Sequence, residues 1–153
     1  MSKLFFILVL FPITVTINAQ DYKGRERSQP LSEKLNELYC SGLFRTTDGV
    51  ILDVASDPSA KTYFNILDWL PGRVAGVQVI TTSSGIRIPL VRNSIPALFI
   101  DEIPISYSLL SSINSNDIAM IKIIKTPFFG GFNGAGGAIA IYTYVVEEED
   151  EGE

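Results

Sequence analysis

The spacing of apolar residues changes along the chain and separates helical from extended segments. Between residues 31 and 40, Leu35, Leu38 and Tyr39 recur at the three- and four-residue spacing of one helix face. This pattern predicts a short amphipathic helix over 31–40. A second pattern of the same kind predicts a helix over 59–70, which a Pro-Gly pair ends.

Runs rich in β-branched residues predict several short strands. The two longest runs extend from Ile118 to Ile124 and from Ala138 to Val146. Shorter predicted strands lie at 50–54, 77–81, 86–88, 97–100 and 103–105. Lys122 and Lys125 alternate with apolar residues in and just after the first long run, so we expect them on a solvated strand face. Short strands, two to three short helices and many turns predict an α+β domain with a short mixed sheet.

The first nineteen residues have the pattern of a secretory signal peptide. Lys3 precedes an apolar stretch of about 14 residues, and the small residue Ala19 comes just before a polar segment. The apolar stretch is shorter than the roughly 20 residues that a membrane-spanning helix needs. The sequence therefore predicts cleavage after Ala19, export of the protein and, after cleavage, no transmembrane span of its own. An uncleaved membrane anchor is the alternative.

Composition argues against several kinds of chemistry. The chain has 153 residues, with 12 basic and 17 acidic side chains, no His and a single Cys. Without His there is no Ser-His-Asp or Cys-His catalytic unit and no His-ligated metal. One Cys allows neither an internal disulfide nor a Cys-cluster metal site. The acidic balance argues against nucleic acid as a partner. We therefore expect a binding or interaction module with no enzyme activity, no cofactor and no metal site.

Charge and polarity also divide the chain into ranges. Six acidic residues occupy the last seven positions, and such a run repels itself, so the tail over 147–153 is expected to be disordered. The tail is interpreted as a solvated end, with a contact for a basic partner or weak divalent-cation binding as alternatives. Residues 20–60 are predicted to be a linker that contains a short helix and a possible strand. Residues 61–146 are predicted to form the folded domain.

Three parts of the predicted domain carry a resemblance to a known family. They are NILDWLPGRVAGVQV over Asn65–Val79, IPALFIDEIPI over Ile95–Ile105 with SINSNDIAMIKIIK over Ser112–Lys125, and FFGGFNGAGGAIAIYT over Phe128–Thr143. In this order and spacing they resemble the plug domain of TonB-dependent outer-membrane receptors, particularly the TonB-linked nutrient-transporter type. The resemblance covers residues 64–144 and implies a small plug-like domain.

The resemblance assigns structural roles to a set of motif residues. These are Gly72, Arg73, Gly76, Asp101, Asp117, Gly130, Gly134, Gly136 and Gly137. Gly72 and Gly76 would let the chain pass tightly from a helix into a strand. Arg73 fits either a structural arginine, which pairs with a carboxylate or with loop carbonyls, or a direct ligand contact. Asp117 fits a cap before the following strand better than a catalytic acid.

The glycine cluster before the last predicted strand admits two interpretations. A phosphate-binding loop would follow a strand and open a helix, whereas this cluster precedes a strand and lacks a Gly-Lys-Ser/Thr sequence. The better interpretation is a tight backbone with positive φ, at Gly134 and Gly136 in particular, that packs against neighbouring segments.

Several features depart from the family pattern. Glu102 stands where the family usually has Gly after Asp101, so the hairpin turn is expected to differ in type. Asn133 stands where the family usually has an arginine that faces the surrounding barrel. The chain also ends about nine residues after Tyr144, where a complete receptor continues as a transmembrane β-barrel. The expectation is therefore a plug-like module without a barrel.

In the family the plug fills the barrel and gates passage. The resemblance therefore implies an exported module, in the periplasm or at the outer membrane of a Gram-negative bacterium, that is not itself a transporter. Its expected partner in nutrient uptake is an outer-membrane β-barrel or receptor component. Two alternatives stay open: a small periplasmic ligand-binding protein on a plug fold, and a truncated receptor remnant.

Overall fold

The computed structural model describes residues 29–131 and 134–144. The predicted signal peptide, the acidic tail and Asn133 lie outside these residues. The α-helices of the described part are α1 (Leu31–Tyr39), α2 (Gly42–Thr46), α3 (Ile66–Trp69) and α4 (Tyr107–Leu110). The strands are β1 (Val50–Asp53), β2 (Val77–Thr81), β3 (Arg87–Val91), β4 (Ala97–Ile100), β5 (Ile103–Pro104), β6 (Ile118–Ile124) and β7 (Ala138–Thr143). Short 3-10 turns lie at Ala60–Thr62, Ser115–Asp117 and Gly134–Gly136.

Five of the strands form one mixed sheet in the order β1-β6-β7-β4-β5. β7 is the middle strand, and it pairs antiparallel with β6 and parallel with β4. β2 and β3 form a separate two-stranded antiparallel sheet. The predicted α+β class with a mixed sheet is confirmed.

Alternation along β6 and β7 directs side chains to two buried faces of the sheet. Ile121, Ile123, Ile139 and Ile141 belong to one hydrophobic core. Apolar residues of α3, α4 and the β2–β3 hairpin complete that core, namely Ile66, Leu67, Trp69, Leu110, Val77 and Val91. Burial of both faces explains why the sequence of these strands is apolar almost throughout.

The opposite face of the sheet is covered by α1, α2 and the segment that precedes β7. Cys40 and Phe44 pack there with Phe99 of β4 and with Phe128. The ring centroid of Phe44 lies 4.9 Å from that of Phe99 and 4.7 Å from that of Phe128. Aromatic pairs at such separations stabilise a core beyond the area that they bury. The helix and strand expected within a linker therefore pack on the sheet, and β1 pairs with β6.

This covering reverses the prediction for Lys122. We expected a solvated side chain, but Lys122 is 2% exposed. It lies on β6 beneath α1 and α2, in a strand whose residues are all buried. The prediction is wrong because the alternation of β6 does not reveal the helices that bury its second face. Lys125, just after the strand, is half-buried.

The helix predicted over 59–70 is wrong in its extent. The structure has a 3-10 turn at Ala60–Thr62 and a separate helix, α3, at Ile66–Trp69. Asn65 has extended backbone angles (φ −121°, ψ 128°), and its side chain accepts a hydrogen bond from the Leu67 amide. Asn65 is thus an N-cap inside the predicted helix, and it divides one apolar pattern into two helical pieces.

Candidate functional site

Gly72, Arg73 and Gly76 shape the connection from α3 to β2. Both glycines have left-handed backbone angles, with φ of 80° and 81°, a conformation that favours glycine. The Arg73 guanidinium lies 4.8 Å from the ring centroid of Trp69, and its Nη2 donates to Ser59 Oγ at 2.8 Å. The Trp69 indole donates to the same hydroxyl at 2.9 Å. The described contacts of Arg73 are therefore internal to the fold.

The glycine-rich segment before β7 lies very close to neighbouring backbone. At Gly134 an added Cβ would overlap the carbonyl oxygen of Phe128, and at Gly136 it would overlap that of Ile95. In this segment the described glycine with a left-handed backbone is Gly137, with φ of 90°. The positive φ predicted at Gly136 is wrong, since the left-handed glycine is its neighbour Gly137. What Gly134 and Gly136 share is that a side chain has no space at either position.

Gly130 and Asp117 have different surroundings. An added Cβ at Gly130 would lie 2.5 Å from a ring carbon of Phe128, so this glycine leaves room for an aromatic side chain of the core. Asp117 is exposed and ends the 3-10 turn before β6. Asn114 caps that turn by accepting a hydrogen bond from the Asn116 amide at 3.0 Å. The capping role predicted for Asp117 is therefore wrong, because Asn114 supplies the cap.

The turn between β4 and β5 places two carboxylates side by side. Asp101 and Glu102 have φ of 45° and 68°, and Ile100 pairs with Ile103 across the turn. A two-residue hairpin with positive φ at both positions is a type I′ turn, which an Asp-Gly pair favours. The expected change of turn type is therefore wrong, since Glu102 adopts the conformation that usually favours glycine. Such residues cost roughly 1–3 kcal/mol each and persist where surrounding contacts hold them.

Each carboxylate of the turn bonds to a different neighbour. Asp101 accepts hydrogen bonds from the amide and the hydroxyl of Thr143, at 2.9 Å and 2.8 Å. Glu102 accepts from the Ser41 amide at 2.6 Å, from the Ser41 hydroxyl, and from the Tyr142 hydroxyl at 3.2 Å. The turn is thereby fixed both to the end of β7 and to the junction of α1 and α2.

A cleft of about 320 Å³ opens beside this turn, and we call it the tyrosine cleft. Its walls carry Tyr39, Tyr142, Tyr144 and Leu38 with the two carboxylates of the turn, and none of the lining residues within 29–131 and 134–144 is basic. The rings of Tyr39 and Tyr142 lie 6.2 Å apart between centroids. Leu38 is 66% exposed and Tyr144 is 45% exposed, so the rim offers apolar and aromatic surface to solvent. Aromatic faces and carboxylates together favour a cationic side chain.

Burial raises the pKa of two of the phenols in this cleft, those of Tyr39 and Tyr142. It raises the pKa of the Tyr142 phenol far above its ordinary value, and hydrogen-bonded neighbours raise it further. Burial likewise raises the pKa of Tyr39. The negative charge of the tyrosine cleft therefore comes from its two carboxylates.

A second cavity, of about 180 Å³, lies over the buried Lys122. The Lys122 ammonium donates hydrogen bonds to the side-chain oxygen of Asn36 at 2.7 Å and to the carbonyl of Phe44 at 2.5 Å. Burial lowers the pKa of this ammonium. Two acidic side chains and one further basic side chain line the same cavity, so its charges balance.

Sequence reasoning missed Ser41, Tyr142 and Lys122 as residues that organise this region. In the sequence, Ser41 only marks the end of a helix, and a lysine within a strand is expected to face solvent. The available signal was Glu102, a large acidic residue directly after Asp101 in a two-residue turn where glycine is usual, and its bonds to Ser41 account for it. Residues 29–131 and 134–144 contain no cluster of three or more side chains suited to hold a metal ion. None of their helices combines the length and the apolar character that a membrane crossing requires.

Parts of two larger proteins share this fold. The RagAB peptide importer, in its closed-closed state, matches with 25% identity and a TM-score of 0.50 over 65% of this chain and 12% of that chain. A mutant of the ferric enterobactin receptor (PfeA) from Pseudomonas aeruginosa matches with 18% identity and a TM-score of 0.52, over 63% of this chain and 17% of that chain. The chain thus spans less than a fifth of the length of either protein. No protein-family model and no curated protein matches it.

Proposed function

We propose that the described residues form a plug-like module of the TonB-dependent receptor type, which acts by protein–protein association at the outer membrane in nutrient uptake. The placement of the motif segments carries this proposal. They form the α3–β2 connection, the β4–β5 hairpin, β6, and the glycine segment with β7. An importer and a receptor share the fold in which these segments lie.

In this proposal the module is exported to the periplasm or the outer membrane of a Gram-negative bacterium. Its partner is an outer-membrane β-barrel or a receptor component, and the module itself does not transport. The importer and the receptor described above share the fold, which is consistent with a role other than catalysis.

Two exposed apolar side chains on the motif-bearing elements support association. Phe129, in the glycine segment, is 91% exposed, and Ile103, on the edge strand β5, is 66% exposed. β5 has only two residues, and Pro104 has no amide hydrogen to offer to a further strand. A partner would therefore contact this edge through side chains and would not pair a strand of its own with β5.

Site-specific photo-cross-linking in the native host tests the proposal. A photoreactive phenylalanine analogue replaces Phe129 or Ile103 in the full chain, and intact cells are irradiated. We expect both positions to cross-link to an outer-membrane β-barrel or receptor component, identified by mass spectrometry. Leu31 is the matched control, since it is 59% exposed but lies on α1, outside the motif segments. We expect no cross-link from position 31 to the same protein.

Two results would count against association. The first is the absence of a cross-link from either test position in envelopes where the protein is present. The second is tight binding of a small nutrient by the purified protein alone, which would support the ligand-binding alternative. Loss of the protein from the envelope altogether would favour a receptor remnant.

A further inference from the structure

The tyrosine cleft carries negative charge that none of its described lining side chains offsets. In the described part of the chain the ion pair that forms, Arg87 with Asp68 at 2.9 Å, lies outside the cleft. The cavity over Lys122 is different, because its two acidic and two basic side chains balance. Of the two, the tyrosine cleft is the one suited to a cationic side chain, which would meet both carboxylates and aromatic rings.

The chain contains a segment of matching charge. Lys23, Arg25 and Arg27 fall within five positions, with Glu26 as the one acid among them. No other five-residue stretch of the sequence holds three basic residues. This segment lies shortly before α1, and the last turn of α1 lines the tyrosine cleft.

The basic segment is long enough to reach the cleft. α1 has nine residues, which at a rise of 1.5 Å each span roughly 14 Å. The six residues from Arg25 to Pro30 can span up to about 20 Å when extended. Covalent attachment gives such a segment an effective concentration on the order of millimolar. The attached segment therefore competes for the cleft at a higher effective concentration than a separate basic partner of the same chemistry.

We propose that residues 23–27 bind in the tyrosine cleft of their own chain. Their guanidinium and ammonium groups lie against the carboxylates of Asp101 and Glu102 and the ring of Tyr144. Bound there, the segment covers the surface between α1 and the β4–β5 turn, and a basic partner has to displace it. The proposal is independent of the proposed function, because it requires neither a membrane nor a second protein.

Trypsin tests this directly, because it cleaves after the three basic residues of the segment. In the full chain at low salt, we expect cleavage there to be about tenfold slower than in a free peptide of residues 20–30, as tethering favours the bound state. The double variant Asp101→Asn with Glu102→Gln removes both charges and should raise the rate to about that of the peptide. High salt should also raise the cleavage rate of the full chain, because it screens the attraction between the segment and the carboxylates. It should leave the cleavage rate of the free peptide unchanged.

Two further variants keep the test decisive. Glu33→Gln with Asp48→Asn neutralises two acids of the balanced cavity and should leave the cleavage rate unchanged. Arg25→Gln with Arg27→Gln changes the segment and not the described fold, and it should speed cleavage after Lys23 about as much as the cleft variant does. Circular dichroism melting checks that each variant is folded.

Cleavage of the wild-type chain at the rate of the free peptide would overturn the proposal. Protection that survives the cleft variant in a folded protein would also overturn it, since another surface then holds the segment. If the chain's own segment is cleaved freely while an added peptide of residues 22–28 shifts the NMR signals of Tyr144, the cleft binds basic partners in trans and the intramolecular proposal is wrong.

Discussion

The Lys122 ammonium donates a hydrogen bond to the side-chain oxygen of Asn36 at 2.7 Å, across 86 positions of the chain. Asn36 lies on α1 and Lys122 on β6, and the same ammonium bonds to the carbonyl of Phe44 on α2. One buried cation is thus bonded to both helices that cover the second face of the sheet. Because an unbonded buried charge is very costly, the two helices and the sheet depend on each other for stability.

Substitution of Lys122 measures this dependence. Lys122→Ala leaves a cavity and two acceptors without a donor, so we expect a loss of about 3 kcal/mol of unfolding free energy. Lys122→Met keeps the apolar stem and buries no charge, so its loss should be smaller, about 1 kcal/mol. Urea unfolding measures both, with Lys125→Ala as a control expected to stay within about 0.5 kcal/mol. An alanine variant as stable as wild type would contradict a net contribution from these bonds.

Alkaline pH should destabilise the protein through Tyr142. Its phenol has a pKa that burial raises above the ordinary 10.0 in the folded state, so the stability contribution is complete below that pH. As the pH rises above about 10, the unfolded chain releases this proton while the folded chain keeps it. Stability then falls by up to about 1.4 kcal/mol per pH unit.

The variant Tyr142→Phe isolates this contribution. Without this phenol, the unfolding free energy should decline less steeply between about pH 10 and 11. The slope should be smaller by the contribution of one proton, up to about 1.4 kcal/mol per pH unit. Tyr39 and Tyr107, whose pKa values burial also raises, are present in both proteins and cancel in the comparison. Equal slopes for wild type and variant would show that Tyr142 ionises alike in both states.

Gly134→Ala should destabilise the fold by about 3 kcal/mol, because the new Cβ meets the carbonyl of Phe128 and the backbone has to shift. Gly42→Ala is the comparison, since nothing lies within 4 Å of its Cβ position and its φ is 43°. There we expect a loss of about 1 kcal/mol, from the left-handed backbone alone. Thermal melts distinguish the two, and similar losses would show that the segment around Gly134 moves without cost.

Glu102→Gly combines two opposing effects. Glycine relieves a left-handed backbone that costs roughly 1–3 kcal/mol, but it removes the carboxylate that accepts from Ser41 and Tyr142. We expect the global stability to change by less than about 1 kcal/mol, since surface hydrogen bonds contribute about that much. Hydrogen exchange of the Ser41 amide should nevertheless become about tenfold faster as the helix junction opens. Unchanged exchange would mean that other contacts hold the junction of α1 and α2. Asp101→Asn is the control, since it keeps an acceptor for Thr143 and leaves the bonds between Glu102 and Ser41 in place.

Cleavage of the signal peptide stays a prediction for residues outside the described part. We expect the mature protein to begin at Gln20, after removal of residues 1–19. Intact mass measurement of protein from native envelopes checks this. A mature protein that retains Met1 would mean that the apolar segment is a membrane anchor.

The strands were the most predictable part of the fold, because β-branched runs identify them locally. Ile118–Ile124 and Ala97–Ile100 lie in strands with the predicted bounds. Their neighbours in the sheet were not predictable in this way, since pairing depends on residues far apart in the chain. The parallel pairing of β4 with β7, for example, has no local signal in either strand.

The candidate site was less predictable because its contacts join distant elements. Glu102 and Ser41 are 61 positions apart, and Lys122 and Asn36 are 86 apart. A lone sequence shows a polar residue in a strand, but not the helix that buries it. The same limit explains Gly134, where the sequence indicates a special backbone position and only the structure shows that the requirement is space.

The position of β7 in the sheet has a consequence for how a growing chain folds. β7 is the middle of the five strands, yet it is the last of them to be synthesised. Before β7 is available for pairing, β1 can pair with β6 and β4 with β5, but only as two separate pieces with open edges. Open strand edges are prone to pair with other chains, and the later closure between distant segments is slow. A nascent chain shorter than residue 138 therefore lacks the strand that makes these pieces one sheet.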